Sequence, residues 1–252
     1  MDKVIVTGAS RGIGKTIAEV LSKNGYYVIA ISRDIDSLNK NFKENDNVEI
    51  YQLDITNNED VDKFAKYLDG VPIKALINNA GGPGKHSNYF KDQWINSYEL
   101  NVIAQLYITQ MMYKNLLSKE GSCVIMITSE AGHYYESQVG DYYSISKAGA
   151  AFLAKALCQR LSNLGIRFTE LSPSTVQTKE FDEKHGFNTI KAEDIAECVK
   201  WIISMPPHVN FNEIHITPLN KVDRSTSANY LFGIWYNKKY EKIYINYAVL
   251  YL

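Results

Sequence analysis

The chain has 252 residues, of which 45% are hydrophobic, and this length allows one domain with a sizeable core. Its formal net charge of -1 gives no electrostatic reason to expect binding to nucleic acid or to an anionic membrane. Cys123, Cys158 and Cys198 are widely spaced and follow no metal-ligand pattern, which favours reduced thiols, a cytoplasmic location and no metal site. No apolar run reaches the roughly 18 residues of a membrane helix, and no basic-then-apolar leader precedes the first predicted strand at Lys3, so neither a membrane span nor secretion is expected.

The N-terminal segment predicts a strand, a glycine turn and a helix. Residues 3–7 form an apolar, β-branched run typical of a buried strand, and the turn Thr7-Gly8-Ala9-Ser10-Arg11-Gly12-Ile13-Gly14 follows at once. Apolar residues then recur at helical spacing up to Asn24-Gly25. A glycine turn alone is also ordinary turn chemistry. In this order, however, strand, turn and helix favour a dinucleotide, whose pyrophosphate would bind the free N–H groups of the helix N-terminus.

Further along the chain, apolar runs and helical repeats alternate with short connections, which predicts a parallel sheet covered by helices on both faces. The predicted strands are 26–31, 48–53, 73–78, 122–128, 166–171 and 213–217, and the predicted helices are 58–68, 92–117, 143–163 and 192–204. With the first strand, this pattern predicts a single α/β domain of the Rossmann type, with a doubly wound, mostly parallel sheet of seven strands.

Tyr143 and Lys147 are four residues apart in the segment Asp-Tyr-Tyr-Ser-Ile-Ser-Lys. An unperturbed phenol has a pKa of about 10 and is a poor acid or base at neutral pH. An ammonium one helical turn away favours the phenolate and lowers that pKa. The pair therefore suits a general acid/base that acts on an alcohol or carbonyl oxygen.

These two features together resemble the short-chain dehydrogenase/reductase family, and the resemblance extends from Lys3 to about Leu219. The family's markers follow one another in the family's order. They are the cofactor turn Thr7 to Gly14, Asp54 after the third strand, Asn78-Asn79-Ala80-Gly81 after the fourth, and the tetrad Asn101, Ser129, Tyr143 and Lys147. Several independent motifs in one order make the resemblance very specific.

The resemblance implies a role for each residue of the tetrad. Tyr143 would protonate a carbonyl oxygen or deprotonate the alcohol, and Lys147 would lower the tyrosine pKa and bind the nicotinamide ribose. Ser129 would orient and polarise the substrate oxygen, and Asn101 would hold a water that connects Lys147 to solvent. Tyr142 is the rival of Tyr143, because it follows Ser129 by thirteen residues, the family's commonest interval. Only Tyr143, however, stands one helical turn before Lys147.

The resemblance also implies a cofactor site built from the turns after successive strands. Its expected residues are Gly8, Ser10, Arg11, Gly12, Ile13, Gly14, Arg33, Asp54, Ile55, Asn79, Ala80, Gly81, Tyr143, Lys147, Val176 and Thr178. NAD-preferring relatives carry an acid at the end of the second strand, where this chain has Ile31 or Ser32. Arg11 and Arg33 flank the same pocket and suit a 2′-phosphate. NADP(H) is therefore favoured over NAD(H), although Asp34 is an acid close by.

One departure from the family pattern follows the sixth strand. Relatives usually have Pro-Gly there, whereas this chain has Pro173-Ser174, which predicts a less tight approach of the backbone to the cofactor. The next segment, Lys179–Lys191, is short for a substrate-covering loop and predicts an open pocket. His133 and His185 lie near the expected mouth and are interpreted as solvent-facing or hydrogen-bonded loop histidines.

Residues 1–220 are interpreted as a dinucleotide-binding and catalytic domain, and residues 221–252 as an atypical, aromatic-rich C-terminal tail. Three interpretations of the tail stay open. It could contact another subunit through aromatic anchors, form a strand pair that covers one edge of the sheet, or be a terminus that does not fit the domain.

The sequence thus predicts an NADP(H)-dependent oxidoreductase that interconverts a carbonyl compound and its alcohol by hydride transfer, with Tyr143 as general acid/base. The alternative is a catalytically silent dinucleotide-binding protein with a regulatory or scaffolding role, which a broken tetrad would favour. The resemblance implies a small-molecule substrate and a homodimer or homotetramer that associates through the helices 92–117 and 143–163. No nucleic-acid, membrane or metal partner is expected, and the identity of the substrate stays open.

Overall fold

The computed structural model describes residues 1–83, 89–134, 141–177 and 189–218, together with the backbone of two short strands at 234–237 and 242–245. The chain divides into two compact units, Met1–Pro218 and Leu219–Leu252. The second unit contains an antiparallel strand pair, in which Ile234–Asn237 pairs with Lys242–Ile245. The rest of the tail, like Thr178 and His185, lies outside the described residues.

The larger unit contains a seven-stranded sheet in which every pairing is parallel. Its strands are β1 (Asp2–Thr7), β2 (Tyr26–Ser32), β3 (Val48–Gln52), β4 (Ala75–Asn78), β5 (Cys123–Ile127), β6 (Arg167–Pro173) and β9 (Glu213–Ile216). The two-residue strands β7 (Val176–Gln177) and β8 (Ile190–Lys191) pair with each other between β6 and β9 in the chain. The spatial order β3-β2-β1-β4-β5-β6-β9 confirms the predicted doubly wound, Rossmann-type sheet.

Seven α-helices connect the described strands of this unit. They are α1 (Gly12–Lys23), α2 (Ile35–Phe42), α3 (Asn58–Tyr67), α4 (Phe90–Tyr98), α5 (Ala104–Leu117), α6 (Asp141–Ser162) and α7 (Ala192–Ser204). Two of the sequence predictions need correction. The helix predicted as continuous from 92 to 117 is divided by a π-helical turn (Glu99–Ile103) into α4 and α5. Helix α2 has no counterpart among the predicted helices, because it buries only Leu38 and Phe42, too short a repeat to stand out in the sequence.

Two hydrophobic cores lie on opposite faces of the sheet. Residues of α3, α5 and α6 pack on one face, and residues of α1, α2 and α7 pack on the other. Side chains alternate along β5, so that Val124 and Met126 join the first core while Ile125 joins the second. The same alternation places Phe168 of β6 on the α6 face, and Glu170 two residues later must point to that face as well. All of the catalytic candidates lie where the carboxyl ends of β1, β4 and β5 meet α6 and the π-helical turn.

Candidate active site

The glycine turn after β1 is bound to the end of β4. The Thr7 hydroxyl oxygen accepts hydrogen bonds from the backbone N–H groups of Asn79 and Ala80, both at 3.0 Å. The Asn79 side-chain amide donates to the Thr7 carbonyl oxygen at 2.9 Å. A Cβ added to Gly14 would collide with the Asn79 amide nitrogen and the Gly8 carbonyl oxygen, so the turn closes only with glycine at that position.

The first turn of α1 suits an anion. Within Gly12–Lys23, all of which the structure describes, this turn has no side-chain cap and no acidic residue. The first N–H groups of a helix have no partner within it and carry the positive end of the helix dipole. The turn and the helix therefore fit the pyrophosphate of a dinucleotide, as the sequence predicts.

Lys147 lies in α6 one turn after Tyr143, and its side chain is buried at 5% exposure. Its ammonium nitrogen donates to the Ile127 carbonyl oxygen at the end of β5, at 3.3 Å, and lies 5.9 Å from the centroid of the Tyr143 ring. Burial lowers the pKa of Lys147 to about 8, and the carboxylate of Glu170 opposes part of this effect. The predicted i, i+4 pair is thus present, and its lysine is a group that titrates close to neutral pH.

Asn101 is held inside the π-helical turn, a type of distortion that is frequent at functional sites. Its amide nitrogen donates to the Gly82 carbonyl at 2.7 Å, and to the Ser97 carbonyl and the Ser146 hydroxyl at 2.9 Å each. Its amide oxygen accepts from the Gly82 N–H at 3.1 Å. These bonds fix the side chain between the loop after β4 and α6.

Gly81 is the point where Asn101 and Lys147 meet. A Cβ added to Gly81 would lie 3.0 Å from both the Asn101 amide oxygen and the Lys147 ammonium nitrogen. Gly81, the exposed last residue of the Asn-Asn-Ala-Gly segment, therefore lies directly beside two members of the predicted tetrad.

Ser129 precedes a single 3₁₀ turn (Glu130–Gly132), and its hydroxyl accepts from the Ala131 N–H at 3.2 Å. We call residues 129–132 the Ser129 turn. This turn packs directly on α6, because a Cβ added to Gly132 would lie 2.5 Å from the Lys147 carbonyl oxygen. The structure thus brings Asn101 and the Ser129 turn to the same stretch of α6 that carries Tyr143 and Lys147.

The remaining predicted cofactor residues line the edge from β1 to β3. The Ser32 hydroxyl donates to the Ser10 hydroxyl at 2.9 Å. The exposed guanidinium of Arg33 lies 4.0 Å from the Asp54 carboxylate, whose other oxygen accepts from the Thr56 hydroxyl at 2.7 Å. Ile55 is buried.

The departure at Ser174 leaves the end of β6 joined to the sheet, because the Ser174 N–H donates to the Ile216 carbonyl of β9 at 2.9 Å. Val176 is half-buried in β7, where it pairs with Ile190.

Glu170, which no motif in the sequence singles out, is buried at 1% exposure beside the site. One oxygen of its carboxylate, Oε1, accepts from the Thr128 hydroxyl at 2.7 Å and bonds the His133 ring at 2.8 Å. His133 is thus a hydrogen-bonded loop histidine, one of the two alternatives that the sequence left open. An acid in a buried parallel strand is the one signal that could have drawn attention to Glu170.

Within the ranges that the structure describes, no three His, Cys, Asp or Glu side chains group as a metal ion would require. No helix among the same residues is both long enough and apolar enough to cross a membrane.

Comparisons with known proteins identify the family and confirm the fold. A family model described as short chain dehydrogenase matches residues 2–186. An uncharacterized oxidoreductase of Staphylococcus aureus (strain USA300) is 31% identical over 227 residues, which cover 86% of this chain and 98% of that protein.

Two solved structures have the same fold, and the match to each covers more than four fifths of this chain. A closed form of serine dehydrogenase complexed with NADP+ has a TM-score of 0.74 at 26% identity, covering 85% of this chain and 94% of that chain. An alcohol dehydrogenase from the archaeon Thermococcus sibiricus, complexed with 5-hydroxy-NADP, has a TM-score of 0.75 at 25% identity, covering 86% and 96%. On this family match and these site residues, the chain belongs to the short-chain dehydrogenase/reductase family of NAD(P)-dependent oxidoreductases.

Proposed function

We propose that this protein is an NADP(H)-dependent oxidoreductase that interconverts a carbonyl compound and its alcohol, with Tyr143 as the general acid/base. The observation that carries the proposal is the meeting of Asn101, Lys147 and the Ser129 turn at the start of α6, the helix that also carries Tyr143. This arrangement supports catalysis over the silent dinucleotide-binding alternative, because a scaffolding protein has no need of a buried lysine whose pKa is about 8.

A bound nicotinamide would supply the hydride for reduction or accept it in oxidation. In reduction, the Tyr143 hydroxyl gives its proton to the carbonyl oxygen, and in oxidation it takes the proton from the alcohol. Lys147 as ammonium stabilises the phenolate that remains, since an opposite charge nearby favours the ionised form. The Ser129 hydroxyl donates to the substrate oxygen and fixes its position.

The chain's own groups define where the cofactor would lie. The glycine turn and the first turn of α1 would hold the pyrophosphate with Gly8, Ser10, Arg11, Gly12, Ile13 and Gly14. Asp54 and Ile55 would contact the adenine, and Asn79, Ala80 and Gly81 would line the middle of the cofactor. Tyr143 and Lys147 would bind the nicotinamide ribose, and Val176 and Thr178 the carboxamide.

The preference for NADP(H) rests on the residues that follow β2. Both oxygens of Asp34 are engaged as the N-cap of α2: one accepts from the Ser37 N–H at 3.0 Å and the other from the Ser37 hydroxyl at 2.6 Å. These two bonds lower the pKa of the Asp34 carboxyl, which stays ionised as a cap. Arg11 and Arg33 are exposed beside it and supply the charge that a 2′-phosphate needs. The two solved structures above contain NADP-type cofactors, which supports the same preference.

A homo-oligomer formed through α4, α5 and α6 is part of the proposal. These helices and the turn between α4 and α5 expose large apolar side chains, among them Ile95, Tyr98, Ile103, Leu117, Ile145 and Phe152. Monomeric proteins rarely leave so many large apolar side chains exposed along neighbouring helices, and a second copy of the chain would bury them.

Fluorescence titration with NADPH and with NADH tests the cofactor, and a panel of small aldehydes, ketones and diketones tests the reaction by loss of NADPH absorbance. We expect binding of NADPH about tenfold tighter than of NADH, since a paired 2′-phosphate contributes about 1–2 kcal/mol. Tyr143→Phe should retain NADPH binding through Lys147 and the glycine turn and lose about 100-fold or more of kcat, with Tyr142→Phe as the matched control. Equal affinity for the two cofactors would refute the NADP(H) preference. Wild-type turnover in Tyr143→Phe would refute the catalytic assignment.

A further inference from the structure

Glu170 is a buried carboxylate for which the proposed reaction has no direct use. It follows Phe168 by two residues in β6, and therefore points to the face of the sheet that α6 covers. Burial of a charged carboxylate is costly unless hydrogen bonds and an opposite charge compensate for it. The groups that compensate for the burial of Glu170 must therefore be its neighbours beside the tetrad.

The Glu170 carboxylate binds both ends of the Ser129 turn. Thr128 directly precedes Ser129 and donates to Oε1 at 2.7 Å, and His133 directly follows Gly132 and bonds the same oxygen at 2.8 Å. A single oxygen atom thus holds the two residues that bracket the turn. Since Gly132 lies against the Lys147 carbonyl, this clamp also presses the turn onto α6.

Glu170 and Lys147 are both buried on the face of the sheet that α6 covers, at 1% and 5% exposure, so that the charge of the carboxylate acts on the lysine. Among the described residues, the second carboxylate oxygen, Oε2, has no hydrogen-bond partner, so hydrogen bonds compensate for the burial of this carboxylate at Oε1 alone. That charge raises the pKa of Lys147 against the lowering effect of burial. The carboxylate therefore favours the ammonium form that the tetrad needs.

Other charged groups on this face pair mainly with one another. Lys155 of α6 lies 3.3 Å from Glu213 of β9, and Glu213 lies 3.8 Å from His215. The His215 ring packs edge-on against His133 with centroids 4.6 Å apart. Of the described groups on α6, β9 and the Ser129 turn that face Glu170, Lys147 is the cation buried with it.

We propose that Glu170 is a positioning residue of this active site, which clamps both ends of the Ser129 turn and supports the positive charge of Lys147. The kinetic part of this inference rests on the proposed oxidoreductase function. Its electrostatic part does not, and unfolding experiments without any cofactor test it separately.

A double-mutant cycle in urea with the full chain tests the link to Lys147. Glu170→Gln keeps the volume and removes the charge. We expect it to lower the urea midpoint in the wild-type background, and to leave the midpoint unchanged or raise it in the Lys147→Met background. Equal shifts in both backgrounds would show that Glu170 does not support Lys147.

The pH dependence of NADPH binding provides the functional test. If Glu170→Gln lowers the Lys147 pKa by about one unit, the variant binds NADPH about fivefold more weakly than the wild type at pH 8 and within about twofold at pH 6. Glu213→Gln is the matched control, an acid on the neighbouring strand that pairs with Lys155, and it should leave the profile unchanged. A uniform weakening at every pH would indicate a merely structural role and overturn the proposal. If the wild type binds no NADPH, the proposed function fails, while the urea cycle still decides the inference.

Variants of His133 test the clamp without any change to the buried carboxylate. They provide the test if Glu170→Gln does not fold. His133→Ala removes one end of the clamp and should lower kcat by about tenfold with the NADPH dissociation constant unchanged, since a lost hydrogen bond to a charged group is a loss of this order. His133→Gln, which can still donate to Oε1, should restore kcat to within about twofold. If His133→Ala has wild-type kcat, or if His133→Gln fails to restore it, the clamp is refuted.

Discussion

Lys147 occupies a position where its chemistry and its burial oppose each other. The proposed mechanism needs an ammonium beside Tyr143, while burial lowers the pKa of Lys147 from 10.5 to about 8. The unfolded chain therefore binds more protons than the folded one between these two values. The resulting cost to stability is fully present below pH 8 and is relieved as the pH rises toward 10.5.

Lys147→Met should therefore stabilise the cofactor-free protein while it abolishes turnover. At pH 7 the gain in the free energy of unfolding should be about 1–3 kcal/mol. The loss of the partner of Glu170 offsets part of the gain and keeps it within this range. The gain should shrink when the same measurement is made at pH 10. Urea denaturation of both proteins at the two pH values checks this, and an equal gain at pH 7 and pH 10 would contradict it.

Arg33 is the residue that tests the cofactor preference most directly. Because its guanidinium is exposed beside Asp54 and the end of β2, Arg33→Ala should weaken NADPH binding by about tenfold and leave NADH binding unchanged. Parallel fluorescence titrations measure both constants. Arg160→Ala, an exposed arginine at the far end of α6, is the control. A parallel loss for NADPH and NADH would mean that Arg33 does not contact a 2′-phosphate.

The residues of the site differ in how far the sequence alone reveals them. The glycine turn and the Tyr143–Lys147 pair are local patterns whose chemistry depends on neighbours within one or two turns of chain, and both were predicted. Glu170 owes its position to Thr128 and His133, about 40 residues earlier in the chain, and only the pairing of β6 with β5 brings them together. No spacing in the sequence encodes that contact.

Among the elements, the Ser129 turn and α6 depend most closely on each other. A Cβ at Gly132 would lie 2.5 Å from the Lys147 carbonyl, a distance at which backbone must move. This contact joins the serine of the tetrad to the helix that carries its tyrosine and lysine.

Gly132→Ala should therefore lower kcat by about 10- to 100-fold and the free energy of unfolding by about 1–3 kcal/mol, since overpacking against backbone displaces both elements. Gly70→Ala is the control: Gly70 has a positive φ of 72° but nothing within 4 Å of its added Cβ, so it should cost stability through backbone strain without loss of kcat. Steady-state kinetics and urea denaturation measure the two effects. Unchanged kcat in Gly132→Ala would show that the turn does not position the tetrad.

The strands and most helices were predicted because hydrophobic periodicity reports burial, and the buried parts of this fold are long. The π-helical turn was missed, because the residues around Asn101 continue the helical pattern and the distortion accompanies bonds to Gly82 and Ser146 from other parts of the chain. Helix α2 was missed for the opposite reason, because it covers the edge of the sheet with only two buried apolar residues.

For the whole molecule, the exposed apolar side chains of α4, α5 and α6 predict self-association. Phe152 has 75% of its surface exposed at this face. Phe152→Lys should convert the oligomer into smaller species, because desolvation of the new charge opposes burial of the interface. Light scattering coupled to size exclusion measures the mass.

Tyr67→Lys places the same charge on an exposed aromatic position of α3, beside Glu49, and should leave the mass unchanged. A wild-type protein that is monomeric, or a Phe152→Lys variant with wild-type mass, would contradict the proposed interface.

The hydrogen bonds between Thr7 and Asn79 join residues 72 positions apart in the chain. Contacts between distant residues form late in folding, because the intervening chain must first lose its entropy of loop closure. A nascent chain whose β4 is still inside the ribosome therefore lacks the contacts of Asn79 and Ala80 with Thr7 that hold the glycine turn in place. The dinucleotide can act only on chains that have already paired β1 with β4, where its binding stabilises the native state by mass action and slows the return to partly folded forms.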